Sequence, residues 1–306
     1  MPHGFQGKLF ILAFDHRGSF QKKWFGIEGE PSAEDALRIA DGKELIFEGL
    51  EQAVARGAEA ATAGGLVDEQ FGAPKEIPRR IEDAGMKLAM PVERSGQEEF
   101  DFEYDERFGE HIERFDPDFV KVLVRYNPDG DGELNARQTA RLLELSDWLS
   151  ARGRKFLFEL LVPATDAQLA SVDGDGGRYD AELRPALMVR TIAELQGAGI
   201  EADVWKIEGL DRREDCERVV AQSRAGGRDE VVCVLLGRGA DRDQVERWIA
   251  TAAGVDGFVG FAIGRSIWGD PLAGYLASDL DREQARREIA DRYLNFLAVY
   301  ERAAAA

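Results

Sequence analysis

The chain has 306 residues, 44% hydrophobic and 32% charged, which suits two average domains or one large α/β barrel with a substantial core. A formal net charge of −19 disfavours a nucleic-acid partner, because phosphate-backbone affinity needs clustered Lys and Arg, yet a local basic pocket can still hold a small anion. No apolar run reaches membrane length, no basic-then-apolar leader opens the chain, and Cys216 and Cys233 are its only cysteines, so a reducing cytoplasm is the expected setting, with no membrane and no disulfide framework.

In chain order, residues 8–14 (KLFILAF) form a continuous apolar run suited to a strand covered on both sides, followed by Asp15, His16 and Arg17. Residues 33–56 read as helix, 58–66 as a small-residue strand, 75–84 as helix, and 86–92 as a strand running into Glu93 and Arg94. A helix over 105–114 precedes the strand 119–126, and the helix 134–152 ends where Gly153 supplies a C-terminal glycine. The strand 156–162 and helix 184–197 follow, then strand 202–207 and helix 212–225, then strand 231–236 and helix 241–252. The last strand spans 257–263, and a helix over 282–303 closes the chain. Eight strands alternating with helices, and no linker rich in Pro, Gly or Ser between halves, predict parallel strands in a single (β/α)8 TIM barrel covering residues 1–306. A doubly wound open sheet is the structural alternative.

In such a barrel, chemistry gathers where strands end and βα loops begin. Lys206 lies in the alternating stretch 202–209, sharing a face with Val204 and Glu208 opposite Trp205 and Ile207. Facing inward, it would be desolvated, and desolvation favours the neutral amine that attacks a carbonyl. By the same parity Lys121 and Glu159 point inward from the two preceding strands, where a carboxylate could shuttle protons and a second ammonium could depress the nucleophile's pKa. An interior Lys–Glu–Lys salt-bridge network, or Lys206 paired with Glu208, fits the same pattern. Only His3, His16 and His111 are present, too few imidazoles for a zinc-dependent sugar aldolase, so neither a metal nor a cofactor is expected.

Gly264, Arg265 and Ser266 after the last strand, with Gly237, Arg238 and Gly239 after the seventh, occupy the two loops that often cradle phosphate in barrels. Residues 127–132 imitate the start of an EF-hand loop, but the twelfth position is Gln138, so they are expected to form a turn. Residues 173–177 read as a flexible loop near the site, His111 as a surface-helix residue without a role, and His16 as either substrate-binding or structural.

The segments Phe14–Ser19 (FDHRGS), Glu93–Gly96 (ERSG), Val120–Leu123 (VKVL), Phe158–Glu159, Trp205–Glu208 (WKIE) and Gly264–Trp268 (GRSIW) occur in the order found in class I aldolases resembling tagatose-1,6-bisphosphate aldolase. The likeness runs from about Phe10 to Leu272. It is nearest to the branch also found as the C-terminal domain of 5-dehydro-2-deoxygluconokinase fusions, associated with 2-deoxy-5-keto-gluconate 6-phosphate aldolase activity in inositol catabolism. That resemblance implies Lys206 as the Schiff-base lysine, Lys121 and Glu159 as its assisting base and acid, Asp15 near the carbonyl-proximal hydroxyls, and Arg265 on the phosphate. His16, Arg17, Glu93, Gly237, Arg238, Gly264 and Ser266 complete the expected substrate-binding set. His16 stands where the tagatose enzymes tend to carry Gln, and Leu236–Gly239 replaces their Ser-Ala-Gly type of turn. The expected partner is a phosphorylated keto-sugar; a homo-oligomer is compatible with the barrel, although no stripe in the sequence identifies an interface. A phosphosugar isomerase, a transaldolase-like enzyme and a non-catalytic sugar-phosphate-binding barrel are the competing classes.

Overall fold

The computed structural model describes residues 3–306. Eight parallel strands close into a barrel in sequential order: β1 (Leu9–Ala13), β2 (Ala63–Leu66), β3 (Lys87–Pro91), β4 (Phe119–Arg125), β5 (Lys155–Leu161), β6 (Val204–Glu208), β7 (Val232–Leu236) and β8 (Phe258–Ile263). The ring is sealed by parallel pairing of β1 with β8, with Leu9 opposite Gly260 and Leu12 opposite Ile263. The predicted (β/α)8 TIM barrel is the observed fold.

Strand parity divides the apolar residues into two environments. Leu9, Ile11, Phe119, Leu157, Val204, Val232 and Val234 fill the barrel interior, while Phe10, Leu12, Phe158, Trp205 and Ile207 pack outward beneath the helices. The lower mouth is closed by the N-terminal segment. Phe5 lies edge-on to Phe119 at 5.3 Å between ring centroids, and the Gly4 N–H donates to Asp203 Oδ1 at 2.7 Å. The cavity lies at the opposite end, at the carboxyl ends of the strands.

Local chemistry sets the helix ends. Asp131 caps Gly132–Arg152 through the Glu133 and Leu134 N–H groups, and Gly153 ends that helix at φ 65°, as expected. Residues 127–132 are thus a capping turn. Asp281 and Gln284 form a reciprocal capping box on Arg282–Ala304. That helix reaches back to the sheet through Tyr293 Oη, which donates to Phe10 O at 2.7 Å, and Tyr300 Oη, which donates to Phe258 O at 2.8 Å.

Three features depart from the sequence reading. The second strand begins at Ala63, because 59–62 turn: the Thr62 and Ala63 N–H groups both donate to Glu59 O. A helix, Arg265–Leu276, follows β8 despite Gly269, Pro271 and Gly274; Pro271 forfeits one helical hydrogen bond there, and burial of Ile267, Trp268 and Leu272 offsets the loss. Residues 166–183 are a succession of short helical turns in which Arg178 pairs with both Asp173 and Glu182 and buried Tyr179 donates to Val162 O. Among the described residues no helix is long and apolar enough to cross a membrane.

A buried amine–carboxylate cluster at the barrel mouth

The register of the sheet brings the predicted residues together. Glu159 on β5 is the direct neighbour of Lys206 on β6, and Lys121 rises from β4 beside Pro91 of β3. Lys206 Nζ lies 2.9 Å from Glu159 Oε2, and Lys121 Nζ lies 3.1 Å from the same oxygen. Lys121 also donates to Asp15 Oδ2 at 2.7 Å and to Glu93 Oε1 at 2.6 Å, so its ammonium sits among three carboxyl groups. Lys206 is 2% exposed and Lys121 1%. All five side chains line a cavity of about 340 Å³ that opens at the mouth. Lys206 does not pair with Glu208; that carboxylate turns to Arg184, Arg238 and the Val162 N–H.

Burial and charge sort the protons in this cluster. Burial opposes the charge on Lys121, but Asp15, Glu159 and Glu93 outweigh it and raise its pKa, so it remains an ammonium. Burial would raise Asp15, yet Lys121, His16 and Lys206 hold it well below the usual carboxylate range. Glu159 is likewise lowered, burial being overcome by Lys121 and Lys206. Glu93 goes the other way: burial raises it, Asp15 adds to the rise, and Lys121 and Arg17 only partly oppose it. Burial also lowers His16 to about 4 against the pull of Asp15, leaving a neutral imidazole edge-on to Trp268 at 5.7 Å.

The remaining predicted residues divide by what already holds them. Arg17 donates to Glu93 O and pairs with Glu103 at 3.0 Å, so it braces the loop after β3. Arg238 lines the cavity with its guanidinium held between Glu208 at 3.0 Å and Asp180 at 2.7 Å. Arg265 differs. Its contact within the protein is with a backbone carbonyl, Arg238 O, at 3.3 Å, and among the described residues no carboxylate pairs with it. It stands at the first turn of Arg265–Leu276, where free N–H groups and the helix dipole favour an anion. Gly264 precedes it because a Cβ there would fall 2.3 Å from Ala13 O, which presses this turn against the end of β1. Ser266 spends its hydroxyl on Ala240 O, and Gly237 lies against Ile263 where β7 leaves the barrel.

Sequence reasoning missed Lys43. It lies within the outer helix Ala33–Ala55, fully buried, and its ammonium donates to Phe14 O, to His16 O at 2.7 Å and to Asp68 Oδ1 at 2.6 Å. Two carbonyls flanking Asp15 are thereby gripped from behind. The available signal was a lysine on the apolar face of that helix, between Ile39 and Ile46. His111, expected to lack a role, binds Glu69 at 2.6 Å and stacks on Tyr104, a packing function away from the cavity.

A closed (β/α)8 barrel with buried amines and carboxylates facing one cavity, and one uncommitted guanidinium at its rim, defines the class of protein. Over residues 3–304 the chain matches the family described as "Uncharacterized protein conserved in bacteria (DUF2090)", and it belongs to that family. It is also similar, at 28% identity over 211 residues, to tagatose 1,6-diphosphate aldolases of Listeria monocytogenes and Listeria innocua; the match covers 66% of this chain and 56% of the length of those relatives. Among solved structures, fructose-bisphosphate aldolase from Plasmodium falciparum superposes with a TM-score of 0.65 at 14% identity, covering 96% of this chain and 91% of the other. A Schiff-base-forming fructose-1,6-bisphosphate aldolase gives 0.53 at 16% identity, with 93% and 94% covered. These two likenesses are of fold.

Proposed function

We propose that the chain is a class I aldolase that cleaves a phosphorylated keto-sugar through an imine on Lys206. The carrying observation is the contact of buried Lys206 with Glu159, inside a cavity whose rim bears the uncommitted Arg265. Lys206 attacks the ketone as the free amine. Glu159, 2.9 Å away, takes its proton and returns one to the departing hydroxyl as the carbinolamine dehydrates. Retro-aldol cleavage then leaves an enamine, with the iminium as electron sink. The raised pKa of Lys121 suits a fixed positive charge that steadies Asp15 and Glu159 better than a group that gives up its proton. Arg265 and the first turn of its helix hold the phosphate, and neutral His16 offers its unpartnered Nδ1 to a substrate hydroxyl.

The substrate favoured by the sequence resemblance is 2-deoxy-5-keto-gluconate 6-phosphate, which would yield dihydroxyacetone phosphate and malonate semialdehyde. The similarity to the Listeria enzymes supports tagatose 1,6-bisphosphate as the second substrate to assay. Release of dihydroxyacetone phosphate from either compound, followed with a coupled glycerol-phosphate dehydrogenase, tests the activity. Folded protein that binds both sugars and releases none would contradict it.

A further inference from the structure

We infer that Glu93 is a catalytic acid–base in this cavity, exchanging a proton with the oxygen on the carbon that becomes the aldehyde when the carbon–carbon bond breaks. The inference rests on the aldolase reading and adds to it a residue that the sequence suggested only for binding.

Glu93 stands just past β3, and its backbone is fixed on both sides. Arg17 donates to its carbonyl, and it pairs with Phe102 in an isolated antiparallel bridge. Its two carboxyl oxygens differ. Oε1 accepts from Lys121 Nζ at 2.6 Å, whereas Oε2 is buried without a hydrogen-bond partner in a side chain that lines the cavity. A buried carboxyl oxygen left unpaired costs free energy unless a ligand completes it. The groups Glu93, Lys121, Glu159 and Lys206 touch in series, at 2.6, 3.1 and 2.9 Å, across the mouth from β3 to β6. Glu159 is the carboxylate at the imine nitrogen. Glu93 lies two contacts further along, on the β3 side of the mouth; Asp15 also reaches Lys121, from the β1 side, but Glu93 is the one with a carboxyl oxygen left without a hydrogen bond.

The charge balance supports the assignment. Three carboxyls, Asp15, Glu93 and Glu159, share the cluster with two amines, and Asp15 and Glu159 are both held as carboxylates. Burial pushes the Glu93 carboxyl up against the pull of Lys121 and Arg17, so of the three carboxyls it is the one shifted toward the acid form. Asp15, held so far below the usual range, is a weak base.

In the condensation direction the enamine carbon attacks the aldehyde carbon, and the carbonyl π electrons move onto the aldehyde oxygen. That oxygen takes the proton from Oε2, leaving a Glu93 carboxylate beside the Lys121 ammonium. Cleavage is the reverse. The carboxylate removes the hydroxyl proton, the O–H electrons become the second bond of the aldehyde carbonyl, and the carbon–carbon pair flows into the iminium.

The test separates imine formation from carbon–carbon cleavage. Wild type and Glu93→Gln are incubated with dihydroxyacetone phosphate and borohydride, and the adduct on the Lys206 peptide is quantified. Release of dihydroxyacetone phosphate from 2-deoxy-5-keto-gluconate 6-phosphate and tagatose 1,6-bisphosphate is measured alongside. The expected result is trapping within about threefold of wild type and release reduced about 100-fold or more, the size of a lost general acid–base. Should Glu93→Gln fail to fold, Glu93→Asp, which retracts the carboxyl by about one bond, reads the same split. Release within threefold of wild type overturns the role. Trapping and release lost in parallel from folded protein also overturns it, because Glu93 would then be a prop for Lys121. Wild type that forms no Lys206 adduct removes the aldolase reading and this role with it.

Discussion

Two buried ion clusters flank the loop that follows β1, and they are built on opposite plans. Behind the loop, Lys43 is saturated: its three protons go to Phe14 O, His16 O and Asp68, and the second oxygen of Asp68 accepts the Phe71 N–H. In front of the loop the cluster around Lys121 stays incomplete, since Glu93 Oε2 and His16 Nδ1 are buried without hydrogen-bond partners beside an open cavity. Both clusters incur desolvation, but only the second keeps donors and acceptors in reserve for a ligand. Complete pairing is the signature of a brace, and unfinished pairing facing a cavity is the signature of a reaction site.

The contrast can be broken by substitutions on either side. Lys206→Met should remove turnover by about 10⁴-fold or more, because the other amine in the cavity, Lys121, is held as an ammonium among three carboxyl groups, while circular dichroism and melting temperature stay near wild type. Activity retained in a folded Lys206→Met protein would sink the covalent mechanism. On the brace side, Lys43→Met should cost about 3–5 kcal/mol in denaturant-measured stability, since buried Asp68 would lose its ammonium partner and keep only the Phe71 N–H. A loss below about 1 kcal/mol would mean that the saturated cluster contributes little. Arg265→Ala should act mainly through KM, raising it about 10- to 100-fold for phosphorylated substrates and leaving kcat within severalfold, the scale of one or two charge-assisted hydrogen bonds. An equal effect from Arg238→Ala would contradict the division between the free and the committed arginine.

The smallest effect concerns acid. Asp15 and Glu159 lie below their unfolded values of about 3.9 and 4.3, so they contribute stability above those values and lose it as pH falls toward the lower folded ones. Glu93, raised in the fold, acts in the opposite sense, gaining its proton in the native state first as pH drops. Thermal melts should therefore fall below about pH 5. The fall should be shallower in Asp15→Asn, and a slope unchanged from wild type would show that Asp15 is not the depressed group.

Much of this arrangement was legible in the sequence because strand parity is a local rule. Alternation alone placed Lys121, Glu159 and Lys206 on one interior, and their contacts follow once adjacent strands pair in register. What stayed hidden depended on contacts between distant segments. Glu93 and Lys121 meet over 28 residues of separation and Lys121 and Asp15 over 106, so the three-carboxyl cage around one ammonium has no spacing signature. Lys43 carries a local hint, its place on an apolar helix face, but its partners Phe14 O, His16 O and Asp68 come from segments 25 to 29 residues away. Arg238 and Arg265 looked equivalent as loop arginines. Asp180, 58 residues from Arg238, and Glu208 are what separate them. The helix after β8 was obscured by its glycines and proline, whose cost is offset by tertiary burial.

The most direct measurement is borohydride trapping with dihydroxyacetone phosphate followed by peptide mass mapping. The account predicts a single reduced adduct on the peptide carrying Lys206, absent from Lys206→Met, with Lys43 and Lys121 unmodified. An adduct on another lysine, or none in folded protein that still binds inorganic phosphate, would contradict the central claim that the unfinished cluster at the barrel mouth performs imine chemistry.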